Sequence, residues 1–128
     1  CQAAGGDDFM VFNGPDEQFI SGRVMGAAGG IGGTYGAMPE LFLKADELVR
    51  ANKMEEARVL QYDINEIIYK LCSGHGNMYA MIKEVLRINE GLDIGSVREP
   101  LTGLCEADLA IAKEAAQMVK NAVAKYCA

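Results

Sequence analysis

The sequence lacks the features that would take it out of an aqueous, reducing setting. No apolar run approaches the ~20 residues that cross a bilayer, so no membrane partner is expected. The opening CQAAGGDDF has neither a basic start nor an apolar stretch, so no secretory signal is read there. Basic residues number 12 against 18 acidic ones, giving a net charge of −6. A nucleic-acid partner calls for clustered Lys and Arg, and none is expected here. The four cysteines, Cys1, Cys72, Cys105 and Cys127, contain no CxxC pair. That is too sparse for a disulfide framework and reads as reduced thiols in a cytoplasmic protein. His75 is the only histidine. Cys72 and His75 stand close in sequence, but a zinc site takes about four ligands, so neither a metal site nor a cofactor is read from the sequence. Flanked by glycines, His75 reads as a solvated loop residue.

What is present suits one modest domain with a real core: 128 residues, half of them hydrophobic and 23% charged. The short apolar run FMVFN, residues 9–13, has the length of a strand buried on both faces. Gly14-Pro15 breaks it. Asp16 and Glu17 then open DEQFISGRVM, a short helix with acids in its first turn and Gly26 as its stop. Acids at that place serve either as helix caps, worth about 0.3–1 kcal/mol, or as a binding site at the carboxyl end of a strand.

The next ten residues, AAGGIGGTYG, are half glycine. So much glycine marks close backbone approach and a short strand centred on residues 30–34. It is not a dinucleotide fingerprint, because Tyr35 stands where G-x-G-x-x-G needs its last glycine, and no Gly-Lys-Ser/Thr follows. Tyr35 itself reads as a packing or subunit-contact residue rather than a proton relay.

From there the pattern is helical. Pro39 fits the first turn of a helix over residues 39–51, with Phe42, Ala45 and Val49 inward. Asn52-Lys53 makes a tight connection to residues 54–73, where Ala57, Leu60, Ile64, Ile67 and Leu71 step by three and four. Asn77 is a good N-cap for the next helix, with Met78, Met81, Ile82, Val85 and Ile88 in its stripe. A loop over residues 91–103 precedes a last helix over 105–126, with Ile111, Ala115, Met118, Ala122 and Val123 facing in. Met54, Met78, Met81 and Met118 read as core or subunit-interface packing. Two parallel strands are not a stable sheet by themselves. The order strand, helix, strand and four helices therefore describes the end of something larger, and a start at cysteine fits a processed or truncated polypeptide.

Taken together, NGPDEQFISGRVMGAAGGIGGTY resembles the last two strand-helix units of the N-acetylneuraminate lyase family. That family belongs to the class I aldolases that include dihydrodipicolinate synthase. Its matching elements are Gly14-x-Asp16-Glu17 after one strand and Gly26-Ala27-x-Gly29-Gly30-Ile31-Gly32-x-Thr34-Tyr35 in the next. MPELFLKADELVRANKMEEARVLQ resembles its eighth barrel helix and the start of its helical extension, and REPL, residues 98–101, its turn before the final helix.

The resemblance implies an α/β fold: the C-terminal part of a TIM (β/α)8 barrel, with residues 1–52 as the last two units and 53–128 as the helical extension. It implies a Schiff-base lyase that cleaves N-acetylneuraminate to pyruvate and N-acetylmannosamine. Gly14, Asp16, Glu17, Gly32 and Gly33 would bind the sugar. An ionised carboxylate suits a polyol because it accepts several charge-assisted hydrogen bonds. Gly33 stands where many members have serine, which bears on the choice of sugar. The imine-forming lysine, the proton-relay tyrosine and the carboxylate-gripping turn would all lie upstream of Cys1. A class I aldolase needs a desolvated lysine inside the barrel, whereas all seven lysines here fall in helices or connections. The segment by itself is expected to be inactive, to pair with the N-terminal barrel segment, and to form a homo-oligomer, commonly a tetramer in this family. The alternatives are a dihydrodipicolinate synthase-like or other 2-keto-3-deoxy acid aldolase, and a non-catalytic helical interaction module.

Overall fold

Apolar spacing of three and four becomes four long helices in the computed structural model, which describes residues 1–127. The last position of the expected extension, Ala128, lies outside the described residues. A short helix α1 (Gln2–Gly5) is followed by β1 (Phe12–Asn13), a 3₁₀ turn (Asp16–Gln18) and α2 (Phe19–Val24). Then come β2 (Gly29–Gly30), a second 3₁₀ turn (Thr34–Gly36), α3 (Pro39–Arg50), α4 (Met54–Cys72), α5 (Met78–Glu90) and α6 (Glu106–Tyr126).

α4 is the centre of the core and packs against α3, α5 and α6. Its stripe Ala57, Leu60, Ile64, Ile67 and Leu71 is buried, meeting Leu41 and Phe42 of α3, Met81 and Val85 of α5, and Ala115 and Val119 of α6 in one cluster. Each large apolar side chain so enclosed contributes about 1.5–3 kcal/mol relative to exposure. Val49, Met78, Ile88, Ile111, Met118 and Val123 sit half-buried at its margin. Local chemistry sets the helix ends. Asn77 caps α5 by accepting the Tyr79 N–H at 2.9 Å, and Gly91, at φ 69°, closes it in the left-handed region. Asn52 makes the sharp connection between α3 and α4 at φ 58°, a conformation that asparagine tolerates better than most residues. REPL forms a turn, with the Leu101 N–H donating to the Arg98 carbonyl at 3.0 Å.

The strands differ from expectation. β1 and β2 pair in parallel, Phe12 opposite Gly29 and Asn13 opposite Gly30, but each is only two residues long. The run over residues 9–13 is not buried on both faces: Phe9, Met10 and Phe12 are about half exposed or more. With one neighbouring strand, β1 has an open edge and an uncovered face. β2 also ends earlier than residues 30–34 suggest, because Thr34 gives its N–H and hydroxyl to Asp16 instead of a ladder. No helix among the described residues is long and apolar enough to cross a membrane.

Candidate functional site

Because β1 and β2 run parallel, the segments after them leave from the same edge of the sheet. Asp16 starts the first 3₁₀ turn and points its carboxylate across to the second. Its Oδ2 accepts the Thr34 N–H at 2.9 Å and the Thr34 hydroxyl at 2.6 Å. Its Oδ1 is buried and has no hydrogen-bond partner among the described residues. The pair is 18 residues apart in sequence and encloses a carboxylate only 7% exposed.

Two amides on α4 support this corner. Gln61, itself buried, donates to the Asp16 carbonyl at 3.1 Å and accepts the Ile20 N–H at 3.1 Å. Asn65, one helical turn on, donates to the Glu17 carbonyl at 3.3 Å. The Ile20 N–H and the Glu17 carbonyl at the start of α2 are thus paired, and the Asp16 carbonyl, which already accepts the Phe19 N–H, gains a second donor. Sequence reading missed both amides. Gln61 was detectable as a polar residue four positions after Ala57, on the inward side of an otherwise apolar stripe.

The five candidate sugar-binding residues are placed as follows. Asp16 and Gly32 adjoin: a Cβ on Gly32 would sit 1.4 Å from Asp16 Oδ1, so only glycine leaves room for the carboxylate. Gly33 is next in line, and the ring of Tyr79 from α5 closes on it, 2.6 Å from where a Cβ would be. Glu17 is exposed, and together with burial its charge pushes the Cys72 thiol pKa up. Gly14 borders open space, with nothing within 4 Å of a built Cβ. The edge therefore joins a fixed carboxylate, Asp16, to a free one, Glu17. Tyr79 is a further neighbour that no local motif indicates.

On the helix side of the strands lies a cleft of about 280 Å³ lined by Phe19, Gly30, Tyr35, Phe42, Leu43 and Asp46 among others. Tyr35 packs as expected, its ring 4.0 Å from that of Phe42 and 6.0 Å from that of Phe19. Its hydroxyl is buried without a hydrogen bond of good geometry. Burial and the nearby Asp16 charge push its pKa up to about 12, against a smaller opposite pull from the Asn13 side chain. Such a phenol holds its proton and is a poor relay near neutral pH.

The lysines stand where the sequence put them: Lys44 on α3, Lys70 on α4, Lys83 on α5, Lys113, Lys120 and Lys125 on α6, and Lys53 between α3 and α4. None is on a strand. Lys125 is held up by the Asp63 carboxylate it contacts at 2.8 Å, the opposite of what imine formation needs. His75 lies exposed in the turn between α4 and α5.

Against known proteins, the model of the dihydrodipicolinate synthetase family matches residues 2–122. An N-acetylneuraminate lyase of Mediterraneibacter gnavus is 64% identical over 123 residues, which cover 96% of this chain and 39% of that protein. Among solved structures, the Ruminococcus gnavus sialic acid aldolase superposes with a TM-score of 0.95 at 64% identity, covering 97% of this chain and 41% of that one; its wild type and a catalytic lysine mutant match alike. CdNal from Clostridium difficile, in complex with mannosamine, superposes at 0.77 with 28% identity, covering 84% of this chain and 36% of that one. The chain thus spans about two fifths of the length of these relatives.

Proposed function

The chain belongs to the dihydrodipicolinate synthetase family, as the C-terminal part of its TIM barrel, and from that premise we propose that it supplies the sugar-binding edge of an N-acetylneuraminate lyase. The observation that carries this reading is the contact of Asp16 with Gly32 after two parallel strands, with Glu17 and Gly33 next to them in the chain, at the carboxyl ends where TIM barrels act. Asp16 is fixed by Thr34 with one oxygen left as an acceptor, and Glu17 is free to turn toward a ligand. Both accept hydroxyl donors, as a polyol tail requires. Gly14 leaves its backbone open to the sugar.

In the whole barrel, a lysine outside these 128 residues forms an imine with the keto carbon of the sugar acid, losing water. The hydroxyl beside the scissile carbon–carbon bond gives its proton to a base of the barrel, and the iminium takes up the electron pair as that bond breaks, which releases the N-acylated sugar as an aldehyde. The enamine left behind gains a proton, and hydrolysis of the imine frees pyruvate. Residues 1–52 act as the last two strand-helix units and 53–128 as the extension. We place the assembly, a homotetramer, in the cytoplasm, in keeping with four free thiols.

The test is borohydride trapping with pyruvate. A polypeptide carrying all eight units is labelled covalently, and the 128-residue chain is not; labelling of the short chain defeats the assignment. In the eight-unit polypeptide, untreated with borohydride, Glu17→Gln lowers kcat/KM for N-acetylneuraminate at least about tenfold, the scale of one lost charge-assisted bond. An unchanged kcat/KM removes Glu17 from the sugar site.

A further inference from the structure

The turn between α4 and α5 and the start of α6 meet over a carboxylate that the sugar edge does not use. Asp108 is fully shielded from solvent. Its Oδ1 accepts the His75 N–H at 2.8 Å, and its Oδ2 accepts the N–H groups of Gly76 at 3.0 Å and Cys105 at 2.9 Å. Glycine is what lets the turn close so tightly: a Cβ on Gly74 would lie 2.9 Å from Oδ1, and one on Gly76 would lie 3.1 Å from Oδ2. The shield is one layer thick, because His75 and Cys105 beside it are exposed. The His75 imidazole Nδ1 lies 3.4 Å from Asp108 Oδ1. Cys105 stands at the head of α6, where its carbonyl accepts the Asp108 N–H at 3.1 Å. One nitrogen, one sulfur and one carboxylate oxygen thus lie within 4.8 Å of one another.

We propose that His75, Cys105 and Asp108 form a binding site for a borderline-soft divalent cation, zinc being the ion that fits. The donor set decides the class: thiolate, imidazole and carboxylate are the three protein donors zinc takes, whereas magnesium and calcium prefer oxygen alone. Ligands about 2.0–2.3 Å from a tetrahedral ion stand roughly 3.3–3.8 Å apart; the His75–Asp108 pair already lies in that range, and with all three atoms within 4.8 Å no other pair has to close by more than about an ångström. The two that move are on exposed side chains. The one that stays, Asp108, is oriented by three backbone N–H groups, the kind of outer support that positions metal ligands. A water molecule takes the fourth place. The sequence reading paired His75 with Cys72; the fold instead brings it to Cys105, 30 positions away. The bound ion would staple the α4–α5 turn to the head of α6, a structural role.

Cobalt(II) is the probe. Titrated into the reduced, metal-free 128-residue chain, it should give the intense thiolate-to-cobalt charge-transfer band and tetrahedral d–d bands, and zinc should abolish both. Cys105→Ser removes the charge-transfer band, His75→Gln weakens binding at least about tenfold, and Cys72→Ser changes neither. Zinc should also raise the Tm of the parent chain and not that of Cys105→Ser. No thiolate band, or a band that survives Cys105→Ser and disappears when Cys1, Cys72 or Cys127 is replaced, overturns the proposal.

Discussion

Asp16 and Thr34 fasten the two strand ends together, the threonine giving one carboxylate oxygen both its N–H and its hydroxyl. Strands of two residues share too few ladder bonds to hold two corners in register. The side-chain clamp does that work, with Gln61 and Asn65 beneath it. It fixes the Asp16 carboxylate in place while Glu17, one residue on, remains exposed.

Thr34→Val is therefore expected to destabilise the chain by about 1.5–3 kcal/mol, the range for a hydrogen bond to a charged group. Thr34→Ser restores the hydroxyl and recovers most of the loss. Urea denaturation measures both. If valine and serine behave alike, the hydroxyl bond contributes nothing and the clamp idea fails.

The neighbouring glycines separate by what opposes them. At Gly32, a Cβ meets a carboxylate pinned by Thr34, so Gly32→Ala forces Asp16 off its partner and costs upward of about 2 kcal/mol. At Gly33, the obstacle is the ring of Tyr79, a side chain 49% exposed that can swing aside. Gly33→Ala or Gly33→Ser is expected to cost under about 1 kcal/mol. Thermal melts of the three variants give the order, and equal losses would contradict the geometry.

The helices were legible because a period of 3.6 shows in the sequence itself: the α4 stripe from Ala57 to Leu71 is buried as read. Strand burial was not legible, because it depends on what lies beside the strand. Phe12 has the composition of a core residue, yet β1 has only one neighbour. At the site, the Asp16-Glu17 pair and the glycine strand were visible, but not the division of labour between the two acids. That division is set by Thr34 and Gln61, contacts 18 and 45 residues away. Asp108 escaped notice for the same reason, since His75 and Gly76, in the turn before α5, are 33 and 32 positions away.

Stability should be flat near neutrality and fall on both sides. The N–H groups of Cys105 and His75 hold Asp108 far below the usual carboxylate range against the cost of burial. Asp63 is also lowered: burial pushes it up, but the Lys125 ammonium and the Tyr126 hydroxyl outweigh that. For both, the stabilisation is complete above the unfolded value of about 3.9 and is lost as pH drops through the lower folded values. Tyr35 acts oppositely, full below its unfolded value of about 10 and lost as pH rises toward 12. Urea midpoints from pH 3 to 11 trace the curve. Tyr35→Phe should make the alkaline limb shallower without removing it, because burial also holds up the Cys72, Cys127 and Tyr126 protons, and a midpoint that climbs below pH 4 would refute the two carboxylate assignments.

The strand pair makes the sharpest claim about the chain in isolation. Met10, Met25 and Ile31 around it are 68%, 79% and 70% exposed, beside a backbone edge with no partner among the described residues. In the whole barrel, six further strand-helix units would pair this edge and cover these side chains. Without them, an apolar parallel edge recruits another chain, and self-association is expected at micromolar concentration and above. Lysine at Met10 and Ile31 places charge on that surface and should shift sedimentation toward the monomer. The helical core, which neither residue enters, should keep its circular dichroism. A polypeptide supplying the other six units should remove the association without any mutation. If the unmodified chain sediments as a monomer at about 100 µM, its helices must shield the edge in solution, and the case for a barrel partner then loses its physical basis.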